Sequence, residues 1–232
     1  MPRASDQPSA SGQLSASAPP SRVRHDRDDV VAAALGLLDR VGLPDLTMRR
    51  LAATLGVQPS ALYRHFASKQ ALLAALADRI TAEGEDGDED PSAEDGGPAA
   101  PDPDGTGAPV APRPAEAAAV DPAAAAARLR AELLAHRDGA EVVASTFALG
   151  LGDGAPLGRL TRAFRGAGLP KDQAAGAGAT LLHFVLGSVQ LEQQRRQAAE
   201  LGIRVALEPP GGFGLGVDLI VRGARTLAGS GR

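Results

Sequence analysis

Apolar residues recur three and four positions apart along the stretch from 30 to 80, which is the spacing of one face of an α-helix. The first such stripe comprises Val30, Ala34, Leu37, Leu38 and Val41. Gly42 and Pro44 end the helix that it predicts, because neither residue continues a helix readily. A later stripe comprises Leu72, Leu73, Leu76 and Ile80, and Ser68 can cap the helix that it predicts.

Two short helices joined by a tight turn are predicted between these stripes. Thr47 can cap the first, whose inward positions are Met48, Leu51, Ala52 and Leu55. Gly56 supplies the left-handed turn, and Pro59 takes a first helical position, where its missing N–H is no loss. The second helix is predicted to continue through Phe66, with Leu62 and Phe66 inward. This pattern predicts a helix-turn-helix, which lays one helix in the DNA major groove, although an ordinary helical hairpin has the same apolar pattern.

The second half of the chain is also helical by its pattern. Asp121 and Pro122 mark a capped start. The predicted elements run from Ala123 to His136, from Glu141 to Leu149, around Leu157 to Phe164, from Asp172 to about Leu201, and from Phe213 to Leu227. Three glycines in the long helix each lower its stability by about 1 kcal/mol relative to alanine. Close approach of a partner helix is one reason to have glycine at these positions. They are Gly176, Gly178 and Gly187.

Composition restricts the class of protein. None of the 232 residues is cysteine, which excludes disulfides and thiolate metal sites. No contiguous apolar run approaches the roughly 20 residues of a membrane span, so we expect no membrane association. Residues 1–21 are rich in Ser, Ala and Pro and lack the apolar stretch of a signal peptide, which predicts a disordered tail and a cytoplasmic protein.

The formal charge of −4 is unevenly distributed. Residues 22–80 carry 9 Lys and Arg against 6 Asp and Glu, and residues 123–232 carry 13 against 9. Residues 81–122 carry one Arg against 12 acids and are rich in Pro and Gly, which predicts a disordered linker. The predicted folded domains, 22–80 and 123–228, are therefore both basic, and the acidic balance of the whole chain does not argue against nucleic acid.

Two groups of motifs carry a family resemblance. Leu46-Thr47-x-Arg49-x-Leu51-Ala52-x-x-Leu55-Gly56-Val57, followed by Leu62-Tyr63-x-His65-Phe66-x-x-Lys69, resembles the signature of the tetracycline repressor (TetR) family. Arg137-Asp138-Gly139-Ala140, His183-Phe184-Val185-Leu186-Gly187 and Leu219-Ile220-x-Arg222-Gly223 are similar to motifs of the tetracycline repressor subfamily. The resemblance implies an all-α protein with an N-terminal three-helix DNA-binding domain and a C-terminal helical domain for ligand binding and dimerisation. It also implies a homodimer that binds a palindromic operator in double-stranded DNA.

The family pattern, carried over position by position, assigns the DNA contacts. They are Thr47, Arg49, Gln58, Pro59, Ser60, Ala61, Tyr63, His65 and Lys69. The planar fork of Arg49 suits guanine O6 and N7, and Ala61 offers only a methyl contact. Tyr63, His65 and Lys69 suit phosphates, which set register and affinity, although His65 could instead be packed in the hairpin.

The ligand positions depart from the subfamily pattern. Its magnesium-binding histidine aligns with Val143, and its glutamate with Leu191, one residue before Glu192. The remaining predicted pocket residues are Leu129, Val143, Thr146, Phe147, His183, Leu186 and Gln190. This lining suits a small lipophilic ligand better than a metal chelate, so we expect no metal and no cofactor. His183 could equally be a core histidine.

The same residues bear on two other functions. An enzyme finds little support, because the four histidines are scattered and neither a nucleophile elbow nor a phosphate loop occurs. The resemblance favours a repressor that a small ligand releases from its operator. The alternative is a DNA-binding regulator without a small-molecule inducer. A protein partner would control it, or its acidic linker would, by competing with DNA for Arg49, Arg64 and Lys69. The inducer, the operator sequence and the choice between repression and activation are not encoded in any of these patterns.

Overall fold

The computed structural model describes residues 25–82, 120–205 and 211–230, and these ranges contain helices and connecting turns but no strand. The helices are α1 Arg27–Val41, α2 Met48–Thr54, α3 Pro59–Leu62, α4 Lys69–Ala82, α5 Pro122–Leu134, α6 Gly139–Ala148, α7 Ala155–Gly166, α8 Lys171–Glu200 and α9 Gly212–Ser230. The all-α prediction is therefore confirmed. The predicted tail, 1–21, and residues 83–119 of the predicted linker lie outside the described residues.

Local capping holds the helix-turn-helix as the sequence predicted. The Thr47 hydroxyl accepts a hydrogen bond from the Arg50 N–H at 3.1 Å, and the Ser68 hydroxyl accepts one from the Ala71 N–H at 3.1 Å. Gly56 has φ +66°, and Pro59 begins α3. These three helix starts and the turn between α2 and α3 follow from short-range side-chain chemistry.

The recognition helix is shorter than predicted. We expected it to reach Phe66, but α3 ends at Leu62. Beyond it, the N–H groups of His65 and Phe66 both donate to the Leu62 carbonyl, at 2.9 and 3.0 Å. Leu62 and Phe66 are each only 1% exposed. The His65 bond spans three residues and the Phe66 bond spans four, so the chain leaves α3 through a mixed turn that places both apolar side chains in the core.

Helix α8 is the centre of the C-terminal half, and α5, α6, α7 and α9 pack around it. Its inward residues are Leu181, Leu182, Val185, Leu186 and Val189, all buried as predicted. By length and mean hydropathy α8 could cross a membrane, although the apolar runs predicted no such helix. The mean hydropathy over 18 residues stays high even where polar residues interrupt the apolar run. Core helices of soluble proteins reach similar values.

A buried glutamine explains why α5 ends two residues before the predicted His136. The Gln193 side chain on α8 donates to the carbonyls of Leu133 and His136, at 3.0 and 2.8 Å. Its carbonyl oxygen accepts the Ala140 N–H at 3.2 Å. The end of α5 and the start of α6 thus find their partners on α8, and the chain turns at 135–138.

That turn connects the two halves of the chain through two carboxylates. Asp39 at the end of α1 lies 3.1 Å from His136 Nδ1 and accepts the Arg137 N–H at 3.0 Å. The buried Asp138 carboxylate accepts the Leu43 N–H at 2.7 Å and a hydrogen bond from the Gln197 side chain on α8. We call these contacts the interdomain clasp.

Close backbone approaches in the clasp and in the α7–α8 contact require glycine. A Cβ on Gly42, which has φ +78°, would lie 2.9 Å from Asp138 Oδ2. A Cβ on Gly178 in α8 would lie 2.7 Å from Thr161 Oγ1 and 3.0 Å from the Thr161 backbone nitrogen on α7. Of the three glycines predicted in α8, Gly178 therefore allows close approach of a helix of the same chain, whereas Gly176 and Gly187 face open space.

Two glycine-to-alanine changes should have opposite effects on stability. Gly178→Ala should lower the free energy of unfolding by about 1–3 kcal/mol, because backbone atoms of α7 must move to admit the methyl group. Gly158→Ala is the matched control: Gly158 is exposed within α7, and a Cβ there meets nothing within 4 Å. It should raise the free energy of unfolding by up to about 1 kcal/mol. Urea unfolding at one protein concentration measures both, and equal effects would contradict the packing described.

Removing one acceptor from the interdomain clasp should also destabilise the protein. Asp138 has φ +56°, a left-handed conformation that asparagine tolerates, so Asp138→Asn leaves the backbone unstrained. The asparagine amide has one acceptor oxygen and one donor NH₂ group. The NH₂ group would therefore meet a donor, either the Leu43 N–H or the Gln197 side chain. We expect a loss of about 1–3 kcal/mol in urea unfolding. An unchanged midpoint would mean that the clasp contributes nothing to stability.

Candidate nucleic-acid interface and regulatory pocket

The outer face of the helix-turn-helix brings together the residues predicted to contact DNA. Thr47, Arg49, Gln58, Pro59, Ser60 and Tyr63 are exposed, whereas Ala61, His65 and Lys69 are half-buried. Their inward neighbours Leu51, Leu62 and Phe66 are at most 1% exposed. The buried residues thus hold α2 and α3 rigidly while the outer face stays open to a ligand the size of a DNA duplex.

The cations on this face differ in whether the protein already pairs them. Arg50 lies 3.2 Å from Asp45 Oδ1 and donates to the Asp45 carbonyl at 3.3 Å. Within the described ranges, Arg49, Arg64 and Lys69 have no ion-pair partner. Unpaired cations keep their full attraction for phosphate or for a guanine edge, so Arg49 rather than Arg50 is available to DNA.

Arg27 supports the interface and was not predicted from the sequence. Its guanidinium lies 4.5 Å from the centre of the Phe66 ring and donates to the His65 carbonyl at 3.3 Å. His25 bonds the Leu55 carbonyl at 3.2 Å. Both contacts fix the turns that flank α3. In the sequence, Arg27 is one cation among several acids at the start of α1, and nothing there distinguishes it from a solvated charge.

The predicted pocket residues lie on three helices that pack against one another. Leu129 is on α5, Val143, Thr146 and Phe147 are on α6, and His183, Leu186 and Gln190 are on α8. Leu129, Val143, Thr146 and Leu186 are buried, and Phe147 and Gln190 are half-buried. The Thr146 hydroxyl donates within its own helix, with the carbonyls of Val142 and Val143 both at 3.0 Å.

His183 is exposed, so it is not a core histidine, and its role in a pocket stays a prediction. Its ring stands edge-on to Phe147, with 5.9 Å between the ring centres. Leu182, Val185 and Leu186 take the inward face of α8, so the helical rotation turns positions 183 and 187 outward. The sequence analysis left this open because a histidine next to an apolar stripe is compatible with either a buried or an exposed position.

Positions of the subfamily's metal site hold other chemistry. Val143 is 5% exposed and has no metal-binding atom. Glu192 pairs with Arg130 at 2.6 Å and with Arg196 at 2.5 Å, and the Arg130 guanidinium lies 5.1 Å from the Phe213 ring centre. Across the described residues, no group of three His, Cys, Asp or Glu could hold a metal ion. Glu192 is thus part of the packing of α5, α8 and α9.

Helix α4 connects the two regions. Its residues Leu72, Leu76 and Ile80 are buried, and its last turn touches the segment that begins α7. Partial burial raises the pKa of the Asp78 carboxyl, opposed by the hydrogen bond that it accepts from the Asp153 N–H at 3.0 Å. The C-terminal half therefore contacts the same helix that supports the DNA-facing residues.

Comparison with family models assigns both halves. Residues 30–76 match the model described as "Bacterial regulatory proteins, tetR family". Residues 115–205 match the model "Tetracyclin repressor-like, C-terminal domain". The first match contains α2 and α3 and the second contains α5 to α8, so the two regions of the site fall in the two matched segments.

Several curated tetracycline repressors match a short stretch of the chain. The tetracycline repressor protein class A from transposon 1721 of Escherichia coli is 57% identical over 54 residues. The match covers 23% of this chain and 25% of that repressor, so it spans about a quarter of the relative's length.

Solved structures match along most of the chain. BioQ of Mycobacterium smegmatis is 34% identical with a TM-score of 0.67, covering 88% of this chain and 99% of that one. The structure of BioQ with its double-stranded DNA operator matches at 34% identity and a TM-score of 0.64, over 87% and 98% of the two chains. A single-residue variant of TetR from Acinetobacter baumannii AYE, in complex with minocycline, is 29% identical with a TM-score of 0.62, over 88% and 99%. The chain therefore belongs to the tetR family of bacterial regulatory proteins, which are DNA-binding transcriptional regulators and not enzymes.

Proposed function

We propose that this protein is a homodimeric repressor that occupies a palindromic operator and leaves it when a small lipophilic ligand binds the C-terminal domain. The observation that carries the proposal is the exposed, unpaired Arg49 beside the open face of α3. A buried core behind that face preorganises it for the major groove. The relative BioQ, solved with its DNA operator, supports the same use of this face.

The DNA contacts divide into reading and positioning roles. Arg49 reads a guanine edge through its planar fork, and Ala61 offers a methyl group, which suits thymine. Thr47, Tyr63, His65 and Lys69 bind the backbone and set register and affinity. Gln58, Pro59 and Ser60 at the start of α3 face the groove in this proposal. These roles require double-stranded DNA as the partner, so we propose a cytoplasmic protein.

The homodimer rests on the outer faces of α8 and α9. Leu215 and Leu219 of α9 are 63% and 64% exposed, while Val217 and Val221 on its inner face are buried. On α8, the exposed Leu191 continues the stripe that holds Gly176, His183 and Gly187. Two such faces from two chains would form a four-helix interface, covering apolar surface and spacing two recognition helices for two half-sites.

The ligand class follows from the side chains between α5, α6 and α8. Leu129, Val143 and Leu186 offer apolar surface, and Phe147 and Gln190 are the half-buried groups at its edge. Because Val143 has no metal-binding atom and Glu192 is paired with arginines, a neutral lipophilic molecule fits better than a magnesium chelate. The relative solved in complex with minocycline supports the proposal that a protein of this fold holds a drug-sized molecule.

Arg49→Ala should lose specific DNA binding. We expect operator affinity to fall about 30-fold or more, because the dimer loses two bidentate base contacts, one in each half-site, of about 1–3 kcal/mol each. The matched control is Arg50→Ala, which removes the same charge from the same helix but a side chain that Asp45 already pairs. Fluorescence anisotropy with a duplex selected from random DNA, and with a scrambled duplex, measures both variants across salt concentrations.

Equal losses in Arg49→Ala and Arg50→Ala would contradict the assigned base contact. The parent complex also separates the two kinds of regulator. Release by a lipophilic compound without magnesium supports the proposed inducer class, whereas a complex that no compound releases favours control by a protein partner.

Leu219→Glu should break the homodimer. A buried carboxylate on each side of the interface is expensive to desolvate, so we expect sedimentation velocity to show monomers at concentrations where the parent is dimeric. Leu149→Glu is the control: Leu149 is 63% exposed against 64% for Leu219, but it lies outside α8 and α9. Dimers in both variants would exclude this face as the interface.

A further inference from the structure

A half-buried arginine joins three helices at the point where α4 ends. Arg159 of α7 pairs with Glu132 of α5 through both of its terminal nitrogens, at 2.6 and 3.2 Å. The Glu132 side chain is 6% exposed and the Arg159 side chain 18%. The same guanidinium donates to the Thr81 carbonyl of α4 at 2.8 Å. One rigid planar group therefore fixes the relative positions of α4, α5 and α7.

The Thr81 carbonyl needs a partner from outside its helix. It belongs to the last four carbonyls of α4, which have no N–H group further along the helix to accept from. Arg159 satisfies this carbonyl from the C-terminal half of the chain. The planar fork makes the contact geometrically demanding, because Nη1 reaches both the carbonyl and Glu132 only in one orientation.

A second contact holds the same turn of α4 from the loop before α7. The Asp78 carboxylate, three residues before Thr81, accepts the Asp153 N–H at 3.0 Å. A Cβ on Gly152 would lie 2.8 Å from that carboxylate, so the loop backbone approaches α4 closely. Asp153 in turn accepts the Ala155 N–H at 2.8 Å. The segment 152–159 thus grips the end of α4 at two points, which we call the α4 grip.

We propose that Arg159 is a positioning residue for operator binding: with Glu132 it holds the end of α4 and thereby sets the orientation of the helix-turn-helix. The proposal rests on the proposed operator binding and names the contact through which the C-terminal domain controls it. Movement at the start of α7 reaches the DNA-binding half through the α4 grip.

The dimensions of α4 make this contact effective. Its 14 residues span about 21 Å, with Lys69 at the far end and Leu72 and Leu76 in the DNA-binding core. A tilt of about 5° at the grip moves the far end by roughly 2 Å over that length. Half-sites on a palindrome are one helical turn apart, so a shift of that size in both subunits changes how well two recognition helices fit them.

The chemistry of the ion pair also favours positioning over stability. Replacing a buried ion pair by apolar side chains of similar volume is often neutral or stabilising, whereas removing one partner is not. The double variant Glu132→Leu with Arg159→Leu should therefore stay folded while leaving the Thr81 carbonyl without its donor. Arg159→Lys is the second variant: it keeps the charge but cannot bind Glu132 through a planar fork.

The experiment measures DNA affinity and helix orientation on the same full-length chains. Because the chain has no cysteine, Ala32→Cys on α1 and Ala127→Cys on α5 place two spin labels at chosen exposed sites. Diluting labelled with unlabelled subunits restricts the measured distance to one chain. Arg162→Leu, an exposed arginine on α7, is the control for loss of charge. Thermal unfolding verifies that each variant is folded.

We expect the double variant and Arg159→Lys to lose at least tenfold in operator affinity, with affinity for a scrambled duplex unchanged within about twofold. The label distance should shift or broaden in both, and Arg162→Leu should match the parent. Unchanged operator affinity in the folded variants overturns the proposal, as does a loss of affinity with an unchanged label distance. If the parent itself prefers no DNA sequence, the proposed function fails, and an unchanged label distance in the variants overturns the positioning role independently.

Discussion

The Asp138 carboxylate lies between the two halves of the chain and accepts a hydrogen bond from each. On one side it accepts the Leu43 N–H in the turn after α1, and on the other it accepts from Gln197 of α8. Gly42 leaves the space that this approach needs. The carboxylate is a charged acceptor with two donors. Separating the halves is costly because it breaks a hydrogen bond to this buried group.

Polar contacts on two different elements hold the DNA-binding half, in addition to the packing of α4 against α5 and α6. The interdomain clasp acts on the end of α1, and the α4 grip acts on the end of α4 through Arg159 and Asp153. Polar contacts at both ends of the DNA-binding half define its orientation more closely than contacts at one end would.

Charged side chains take part in the packing of the C-terminal helices. Glu192 is paired with Arg130 and Arg196, and Arg130 also lies over Phe213 of α9. A carboxylate held by two guanidinium groups is a poor candidate for a cation, because both arginines would need to move away. This arrangement supports the proposed neutral ligand over a metal chelate.

Short-range features were predictable because their partners are a few residues apart in the chain. The caps at Thr47 and Ser68, the turn at Gly56 and the capped start at Asp121 each involve atoms within four residues. The apolar stripe of α8 was predictable for the same reason, since helical periodicity alone selects its inward face.

The remaining features depend on which helices become neighbours. The end of α3 at Leu62, the exposed position of His183 and the end of α5 near Gln193 all follow from packing against distant elements. Asp138 and Leu43 are 95 residues apart, and Arg159 and Thr81 are 78 apart. The sequence by itself determined where helices form and the caps at Thr47, Ser68 and Asp121, because these are local properties. Only the tertiary structure decided how the two halves are joined. The sequence around a charged residue does not distinguish a side chain in solvent from one that contacts a carbonyl of another helix.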